Sequence, residues 1–467
     1  MLLRYFYNPK LSHASYLIGC QATGEAIVID PGRDLTPYLE AAKEEGLTLT
    51  AAAETHIHAD FVSGARELGK RYNTMLYLSG EGDASYAYIH EEKHTLLKNN
   101  DTFHIGNLTF QAVHTPGHTP EHLSYILTDG GASEPIGIFT GDFVFVGDVG
   151  RPDLLETAVG QSGAAKEGAQ QMFASVQRIK ELPDYMQVWP GHGAGSACGK
   201  ALGAIPSTTI GYEKRFNHSF SIEDENAFVQ TLLEGQPETP AYFSVMKHVN
   251  KEGPTLLSEL KRPEEVEASK PFLTERMDGQ AVLLDVRSAH EFATAHIPGT
   301  INIPYNRSFT NWAGWLLPYD QDIYVIADSD VHDSLLTDLY SIGLDRIAGF
   351  IRPTVLREYK ELQSYEEKTP EEMAERVQQG DVHVLDVRNQ SEWESGHIPQ
   401  AQHIMLGYLP KRMDELPVDK TILLHCQSGA RSAIATSLLQ AHGFTNVINL
   451  AGGFSEWSKQ KLPQDNQ

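Results

Sequence analysis

Cysteine is scarce in this chain. Three residues in 467, Cys20, Cys198 and Cys426, are too few and too scattered for a disulfide framework, and a reducing compartment fits. Long apolar runs are lacking as well. No stretch approaches the roughly 20 residues that a membrane-spanning helix needs. Met1-Leu2-Leu3-Arg4-Tyr5-Phe6-Tyr7 reads as a first strand and lacks the shape of a signal peptide, so a cytoplasmic protein is expected. Positive charge is in short supply: 37 Lys and Arg face 62 Asp and Glu, a formal net charge of -25. That balance disfavours nucleic acid and anionic membrane as partners, and leaves any anionic substrate to be met by local basic residues. What the chain does have is 20 histidines, an internal repeat, and length enough for about three domains.

The segment Thr55-His56-Ile57-His58-Ala59-Asp60-Phe61 follows the apolar run Leu47 to Ala53 and puts three candidate metal ligands on one loop. It resembles the His-x-His-x-Asp-His loop of the metallo-β-lactamase fold, which feeds two adjacent metals, except that Phe61 stands where the last histidine is wanted. Further candidates lie just beyond β-rich or apolar stretches, where strand ends deliver side chains into a shared pocket. They are His118 in Thr115-Pro116-Gly117-His118-Thr119-Pro120, Asp142 after Ile136 to Gly141, and His192 after Val188 to Gly191. Pro116, Gly117 and Pro120 forbid a helix there, so His114, His118 and His122 cannot share one helical face; His118 is taken as the ligand. His56, His118 and Asp142 would form a two-His, one-carboxylate face with open positions, the arrangement associated with non-haem Fe(II) oxygenases. Zinc hydrolases favour more nitrogen and closed geometry. His58, Asp60 and His192 are expected to orient ligands or bind substrate by hydrogen bonds, or alternatively to serve a second metal, with Phe61 keeping that side dry. His13, His90, His94, His104 and His114 read as surface or packing residues.

With these motifs in order, residues 1 to about 250 resemble the persulfide dioxygenase branch of the metallo-β-lactamase superfamily. The resemblance implies an αββα sandwich and one Fe(II) per chain, with zinc as the alternative. It further implies oxidation of a low-molecular-weight persulfide, carried by glutathione or a similar thiol, by O2 to sulfite. It also singles out Gly150-Arg151-Pro152-Asp153: family members carry a Gly-Arg-Thr/Pro-Asp turn, and Arg151 would anchor the carrier's carboxylate by a bidentate contact. Cys198, in the glycine-rich Gly193-Ala194-Gly195-Ser196-Ala197-Cys198-Gly199-Lys200, is either a sulfur relay or a small residue packed under a loop. Cys20 reads as packing. The rival in the same fold is a dinuclear zinc thioester hydrolase of the glyoxalase II kind, against which Phe61 argues. Related proteins associate into dimers or tetramers, so a homo-oligomer is expected.

Asp285-Val286-Arg287, Glu291 and His296-Ile297-Pro298 recur as Asp386-Val387-Arg388, Glu392 and His397-Ile398-Pro399 at a constant offset of 101 residues. In each copy an apolar strand enters the Asp-Val-Arg turn, then come the His-Ile-Pro loop, a second strand and a helix, an α/β order that implies a parallel sheet. The pattern resembles a rhodanese, or sulfurtransferase, domain. Proline- and charge-rich stretches set the boundaries, giving a metal domain over 1–260, a first rhodanese-like domain over 261–365 and a second over 366–467.

In the second copy, strand Thr421 to Leu424 runs into His425-Cys426-Gln427-Ser428-Gly429-Ala430-Arg431-Ser432. A ring of backbone N–H groups and the positive end of a helix stabilise a thiolate there. Cys426 is therefore the expected nucleophile and Arg431 its cationic partner, with Gln427, Ser428, Gly429 and Ala430 forming the cradle. Four residues separate Cys426 from Arg431, one fewer than in the cysteine phosphatases that the loop also resembles. The tighter cradle suits a sulfur atom better than a phosphate, so a persulfide on Cys426, exchanged with sulfite or thiosulfate, is expected. In the first copy Asp328 is set over Cys426 and Asp333 over Arg431, so that copy is read as an inactive spacer or docking domain. Asp285 with Arg287, and Asp386 with Arg388, are expected as structural ion pairs.

Overall fold

The computed structural model describes residues 1–89, 92–154, 156 and 163–465; His90, read above as a surface or packing residue, lies outside them. By compactness the chain divides into one unit of Met1–Leu260 with Tyr340–Gly343, and another of Lys261–Leu339 with Leu344–Gln467.

In the first unit, strands build two six-stranded sheets, the inner ones buried on both faces and the outer ones partly exposed. One contains β1 Leu2–Asn8, β2 His13–Cys20, β3 Glu25–Ile29, β4 Thr48–Ala53, β5 Met75–Ser79 and β6 His94–Leu97, in that spatial order. β1 to β3 pair antiparallel and β3 to β6 parallel, with crossover helices α1 Thr36–Glu44 and α2 Ala65–Tyr72. The other contains β7 Thr102–Ile105, β8 Leu108–His114, β9 Leu123–Thr128, β10 Gly137–Gly141, β11 Gln187–Pro190 and β12 Thr208–Thr209. Its order runs from β12 back to β7; β10 and β11 pair parallel, bridged in sequence by α3 Ala164–Ile179.

Successive side chains of a strand point to opposite faces, and β2 shows the result. Tyr16 and Ile18 join Phe110, Tyr125 and Phe139 in the core between the sheets, whereas Leu17 packs with Tyr38 of α1 and Leu68 of α2. On the far side, Ile138 and Val188 pack with Met172 and Val176 of α3. The layering is αββα. Every residue of β2 is buried because both faces are covered, which is why the strand reads as a nearly continuous apolar run. The chain leaves β4, β8, β10 and β11 shortly before His56, His118, Asp142 and His192.

The second unit holds two parallel sheets. The first is ordered β14-β13-β15-β16, from β13 Val282–Asp285, β14 Ile301–Asn302, β15 Ile323–Ile326 and β16 Ile347–Ile351. The second is ordered β17-β21-β20-β18-β19, from β17 Glu366–Lys368, β18 His383–Asp386, β19 Gln402–His403, β20 Ile422–His425 and β21 Val447–Leu450. Helix α4 His332–Ser341 follows β15, and α5 Ala430–Ala441 follows β20. The Asp-Val-Arg turns carry ion pairs, Arg287 Nη2 to Asp285 Oδ2 at 2.6 Å and Arg388 Nη2 to Asp386 Oδ2 at 2.7 Å. Arg388 also donates to the Gly396 carbonyl at 2.8 Å, as Arg287 does to Ala295 at 3.0 Å. Each pair thereby ties its turn to the residue before the His-Ile-Pro loop, so the repeated motif has a structural reason. Among the described residues no helix is long and apolar enough to cross a membrane.

Candidate functional site

His56, His118 and Asp142 are brought together in the first unit, all buried, with one ligand atom of each within 4.8 Å of the others. Their hydrogen bonds leave the inward-facing lone pairs free. The Thr55 hydroxyl has one proton and lies 2.9 Å from Asp30 Oδ2, so at 3.0 Å it accepts the Nδ1 proton of His56. The Arg151 carbonyl, which can only accept, takes the Nδ1 proton of His118 at 3.0 Å. Both Nε2 atoms are therefore unprotonated and stand 3.9 and 3.5 Å from Asp142 Oδ2. That oxygen is buried and has no hydrogen-bond partner among the described residues. Leaving such an acceptor unpaired costs about 1–3 kcal/mol, a cost that a cation among the three atoms removes. The donor set fits a metal ion. Gly141 has φ +48° in the turn that delivers Asp142, and a Cβ there would meet Thr55 Oγ1 at 2.4 Å, so only glycine suits this position.

Asp60 and His192 adjoin this group. His192 Nδ1 lies 2.6 Å from Asp142 Oδ1 and its Nε2 lies 2.7 Å from Asp60 Oδ2. Burial works against a charged ring, but Asp142 and Asp60 outweigh it and hold His192 well above the usual histidine range. His58 points elsewhere: its Nε2 lies 3.0 Å from Asp30 Oδ1 and 3.3 Å from Glu54 Oε2. Phe61 is buried with its ring against His13 at 3.8 Å and His58 at 4.4 Å between centroids. His13 is thus a packing residue of the site wall, while His94 and His104 are exposed and His114 is half-buried.

Two site predictions need correction or refinement. Arg151, expected to reach for a carrier's carboxylate, is buried and spans Asp153 through Nε to Oδ1 at 2.9 Å and Nη2 to Oδ2 at 2.5 Å. It also donates to the Ala197 carbonyl at 3.0 Å. Its neighbour two residues on supplies the carboxylate, and its own carbonyl orients His118. Cys198, open between relay and packing in the sequence, is buried within ligand distance of Asp60 and His192. Cys20 packs in the core between the sheets.

Sequence reasoning missed three supporting residues. His122 accepts the Asp142 backbone N–H on Nε2 at 3.2 Å and stacks on His56 at 5.1 Å. The Pro-Gly signal that excluded a helix here hid the return of the loop, in which the Thr115 N–H bonds the His122 carbonyl at 2.9 Å. Asn250 donates to the carbonyls of His58 at 2.8 Å and Phe61 at 2.7 Å, clamping the ligand loop from far along the chain. Glu121 accepts the Ile57 N–H at 2.8 Å.

Burial pushes Glu121 from its ordinary 4.5 up to about 7. The folded chain then holds this proton more tightly than the unfolded one. The associated stability is fully present below 4.5 and is lost as pH rises through about 7. Glu121→Gln is expected to stabilise the metal-free chain above neutrality, by up to about 3 kcal/mol at about 1.4 kcal/mol per pH unit, and to change little in acid. Urea melts at acidic and alkaline pH check this; equal midpoints for the two proteins at alkaline pH would contradict it.

The second unit carries the cysteine loop. Cys426 follows β20, is buried, and its Sγ accepts the Gly429 N–H at 3.2 Å. Gly429 has φ +98° and precedes α5, so the helix begins inside the expected cradle, with Ala430 and Arg431 in its first turn. Gln427 donates to Ser455 Oγ at 2.9 Å, and Ser428 is exposed. Arg431 pairs with both oxygens of Glu392 at 2.6 and 2.7 Å. In the first copy, strand register corrects the sequence alignment. Asp285 pairs with Ile326 as Asp386 pairs with His425, so Ala327, not Asp328, stands over Cys426. The conclusion that this copy lacks the nucleophile is unchanged. Asp333 pairs with Arg262.

Comparison with known proteins agrees with this division. The metallo-beta-lactamase superfamily matches residues 8–192, and the rhodanese-like domain matches 270–356 and 369–460. Hydroxyacylglutathione hydrolase of Rhodopseudomonas palustris is 29% identical over 238 residues, 50% of this chain and 80% of that protein. Mitochondrial persulfide dioxygenase ETHE1 of Homo sapiens is 28% identical over 194 residues, 41% of this chain and 68% of that protein. The crystal structure of a metallo-beta-lactamase from Staphylococcus aureus subsp. aureus COL is similar over 75% of this chain and 99% of its own, at 46% identity and a TM-score of 0.68.

Proposed function

Because the chain belongs to the metallo-β-lactamase superfamily and carries two rhodanese-like domains, we propose that it oxidises a low-molecular-weight persulfide to sulfite and moves sulfur through Cys426. It is then a persulfide dioxygenase joined to a sulfurtransferase. The observation that carries the reading is the unpaired Oδ2 of Asp142 facing two free imidazole lone pairs, the two nitrogens and one carboxylate of a two-His, one-carboxylate face. The likeness to human persulfide dioxygenase supports it.

His56, His118 and Asp142 would hold one Fe(II), which when bound supplies the activation of dioxygen. The chain's own part is positional. Thr55 and the Arg151 carbonyl fix the two imidazole tautomers, and His122 holds the Asp142 backbone. The overall reaction balances as persulfide, O2 and one water giving thiol, sulfite and two protons. At Cys426 the thiolate attacks the sulfane sulfur of a persulfide, the S–S bond breaks, and the carrier leaves as thiolate. Sulfite then takes the outer sulfur as thiosulfate and restores the Cys426 thiolate; the reverse direction loads Cys426 from thiosulfate. The Gly429 N–H and the start of α5 stabilise the anionic sulfur in either case.

Iron-loaded chain is expected to consume oxygen with glutathione persulfide, to release sulfite and thiosulfate, and to stop when the iron is chelated. Hydrolysis of a lactoylglutathione-type thioester under nitrogen, with no persulfide-dependent oxygen uptake, would reject the proposal. It would favour instead a zinc thioester hydrolase, the reading that the likeness to hydroxyacylglutathione hydrolase supports.

A further inference from the structure

Glu392 gives the Cys426 loop a property that sulfur transfer alone does not require. It lies in the short helix Gln390–Glu394, where its Oε2 accepts the Asn389 N–H at 3.0 Å and closes a capping box. The first copy repeats the arrangement at the start of the helix Ala289–Thr294. There Glu291 Oε2 accepts from the Ser288 N–H at 3.1 Å and from the Ser288 hydroxyl at 2.6 Å. The loop of that copy, Ala327 to Asp333, contains no arginine, so the cap closes without one. Helix capping therefore explains the repeated glutamate but not its pairing with Arg431.

That pairing belongs to the copy with the nucleophile. Arg431 Nη1 and Nη2 reach the two oxygens of Glu392 at 2.6 and 2.7 Å, and Nη1 lies 3.3 Å from Asn389 Oδ1. The pair is partly buried, with side chains 19% and 28% exposed for Arg431 and Glu392. Burial works against both charges, but each partner outweighs it for the other, so Glu392 is held below the usual carboxylate range and Arg431 above its own. A bidentate pair occupies the fork that a guanidinium otherwise offers to an oxyanion. Arg388 also touches the loop, with Nη1 3.4 Å from Gln427 Oε1, and Asp386 matches its charge at 2.7 Å. Both guanidinium groups at the loop are thus neutralised by carboxylates.

We infer that Glu392 is a specificity-determining residue of the Cys426 loop: by matching Arg431 it weakens the hold on doubly charged thiosulfate and sulfite and favours loading by persulfides of lower charge. The inference rests on the sulfur-transfer role proposed for Cys426. In loading from thiosulfate, the Cys426 thiolate attacks the sulfane sulfur, the S–S bond breaks and sulfite leaves. In loading from a persulfide, the same bond forms and the carrier leaves as thiolate. Thiosulfate and sulfite are both dianions in mildly alkaline solution, so a carboxylate beside the loop weakens the two alike. It changes which donor loads Cys426 without shifting the balance between thiosulfate and sulfite.

Single-turnover loading under nitrogen tests this, because the oxidation proposed for the metal domain cannot run there. The full-length chain is mixed with thiosulfate, or with the persulfide of 2-mercaptoethanol, whose carrier is uncharged. Sulfur gain is followed on the Cys426 peptide by mass spectrometry. Glu392→Gln keeps an oxygen for the Asn389 N–H and removes the charge. It is expected to lower the half-saturating concentration of thiosulfate by about tenfold with a smaller change in the limiting rate, and to raise the preference for thiosulfate over the persulfide by a similar factor. An unchanged preference overturns the inference. So does a higher half-saturating concentration, because Glu392 would then be holding Arg431 in place for the anion. If the variant fails to fold by circular dichroism, the salt dependence of the unaltered chain decides. Loading by thiosulfate should hold constant or quicken as ionic strength rises, because a chain of net charge -25 repels the dianion and Arg431 is already matched; a steep fall with salt overturns the inference. Failure of the unaltered chain to load from either donor rejects the sulfur-transfer reading itself, a result distinct from loading without the expected charge preference.

Discussion

Asp142→Asn is expected to remove the metal from the first group and to abolish persulfide-dependent oxygen uptake. An amide keeps the shape but loses the charge, and it cannot present an anionic oxygen both to the free lone pairs of His56 and His118 and to His192. Loss of an outer hydrogen-bond partner of a ligand typically costs about 10- to 100-fold; loss of the carboxylate ligand itself should exceed that. The backbone N–H of residue 142 still meets His122, so the fold is expected to persist by circular dichroism. Metal analysis and oxygen-electrode measurements on the purified variant check the result. A variant that retains full metal content and full oxygen uptake would remove Asp142 from the ligand set and dissolve the two-His, one-carboxylate reading.

Cys426→Ser is expected to abolish sulfur transfer while leaving oxygen uptake in place. The hydroxyl is close in size to the thiol, so the Gly429 N–H and the start of α5 remain, but a serine is neither ionised at neutral pH nor able to carry a sulfane sulfur. Loss of a covalent nucleophile costs about three orders of magnitude or more. Sulfite should accumulate in place of thiosulfate when persulfide and oxygen are supplied, and thiosulfate-dependent cyanide sulfuration should vanish. Unchanged thiosulfate formation in the variant would mean that sulfur moves without Cys426, and the rhodanese-like domains would then be binding modules.

Local relations are legible in the residue order alone. The Asp-Val-Arg ion pairs join groups two residues apart, and the repeat exposes them twice. The alternating α/β order of the repeat implied parallel sheets, while the αββα sandwich was expected from the resemblance that the ligand motifs carry. Arg151 shows the limit. Its partner Asp153 is equally close in sequence, yet the Ala197 carbonyl that helps draw the guanidinium inward lies 46 residues away. The mismatch of Asp328 with Cys426 has a similar origin: residue order does not fix where the spacing between the repeats changes from one strand to the next, whereas the pairing of β13 with β15 and of β18 with β20 does so directly.

By itself the amino-acid order determined the repeat, the candidate ligand types and the candidate nucleophile, because periodicity and short-range chemistry depend on neighbouring residues. Only the tertiary structure decided which lone pairs are free. Thr55 and the Arg151 carbonyl orient two imidazoles toward an unpaired oxygen, His192 is drawn between Asp142 and Asp60, and Cys198 arrives beside them. A lone pair's availability depends on every donor that reaches it, and those donors come from strands and loops far apart in the chain.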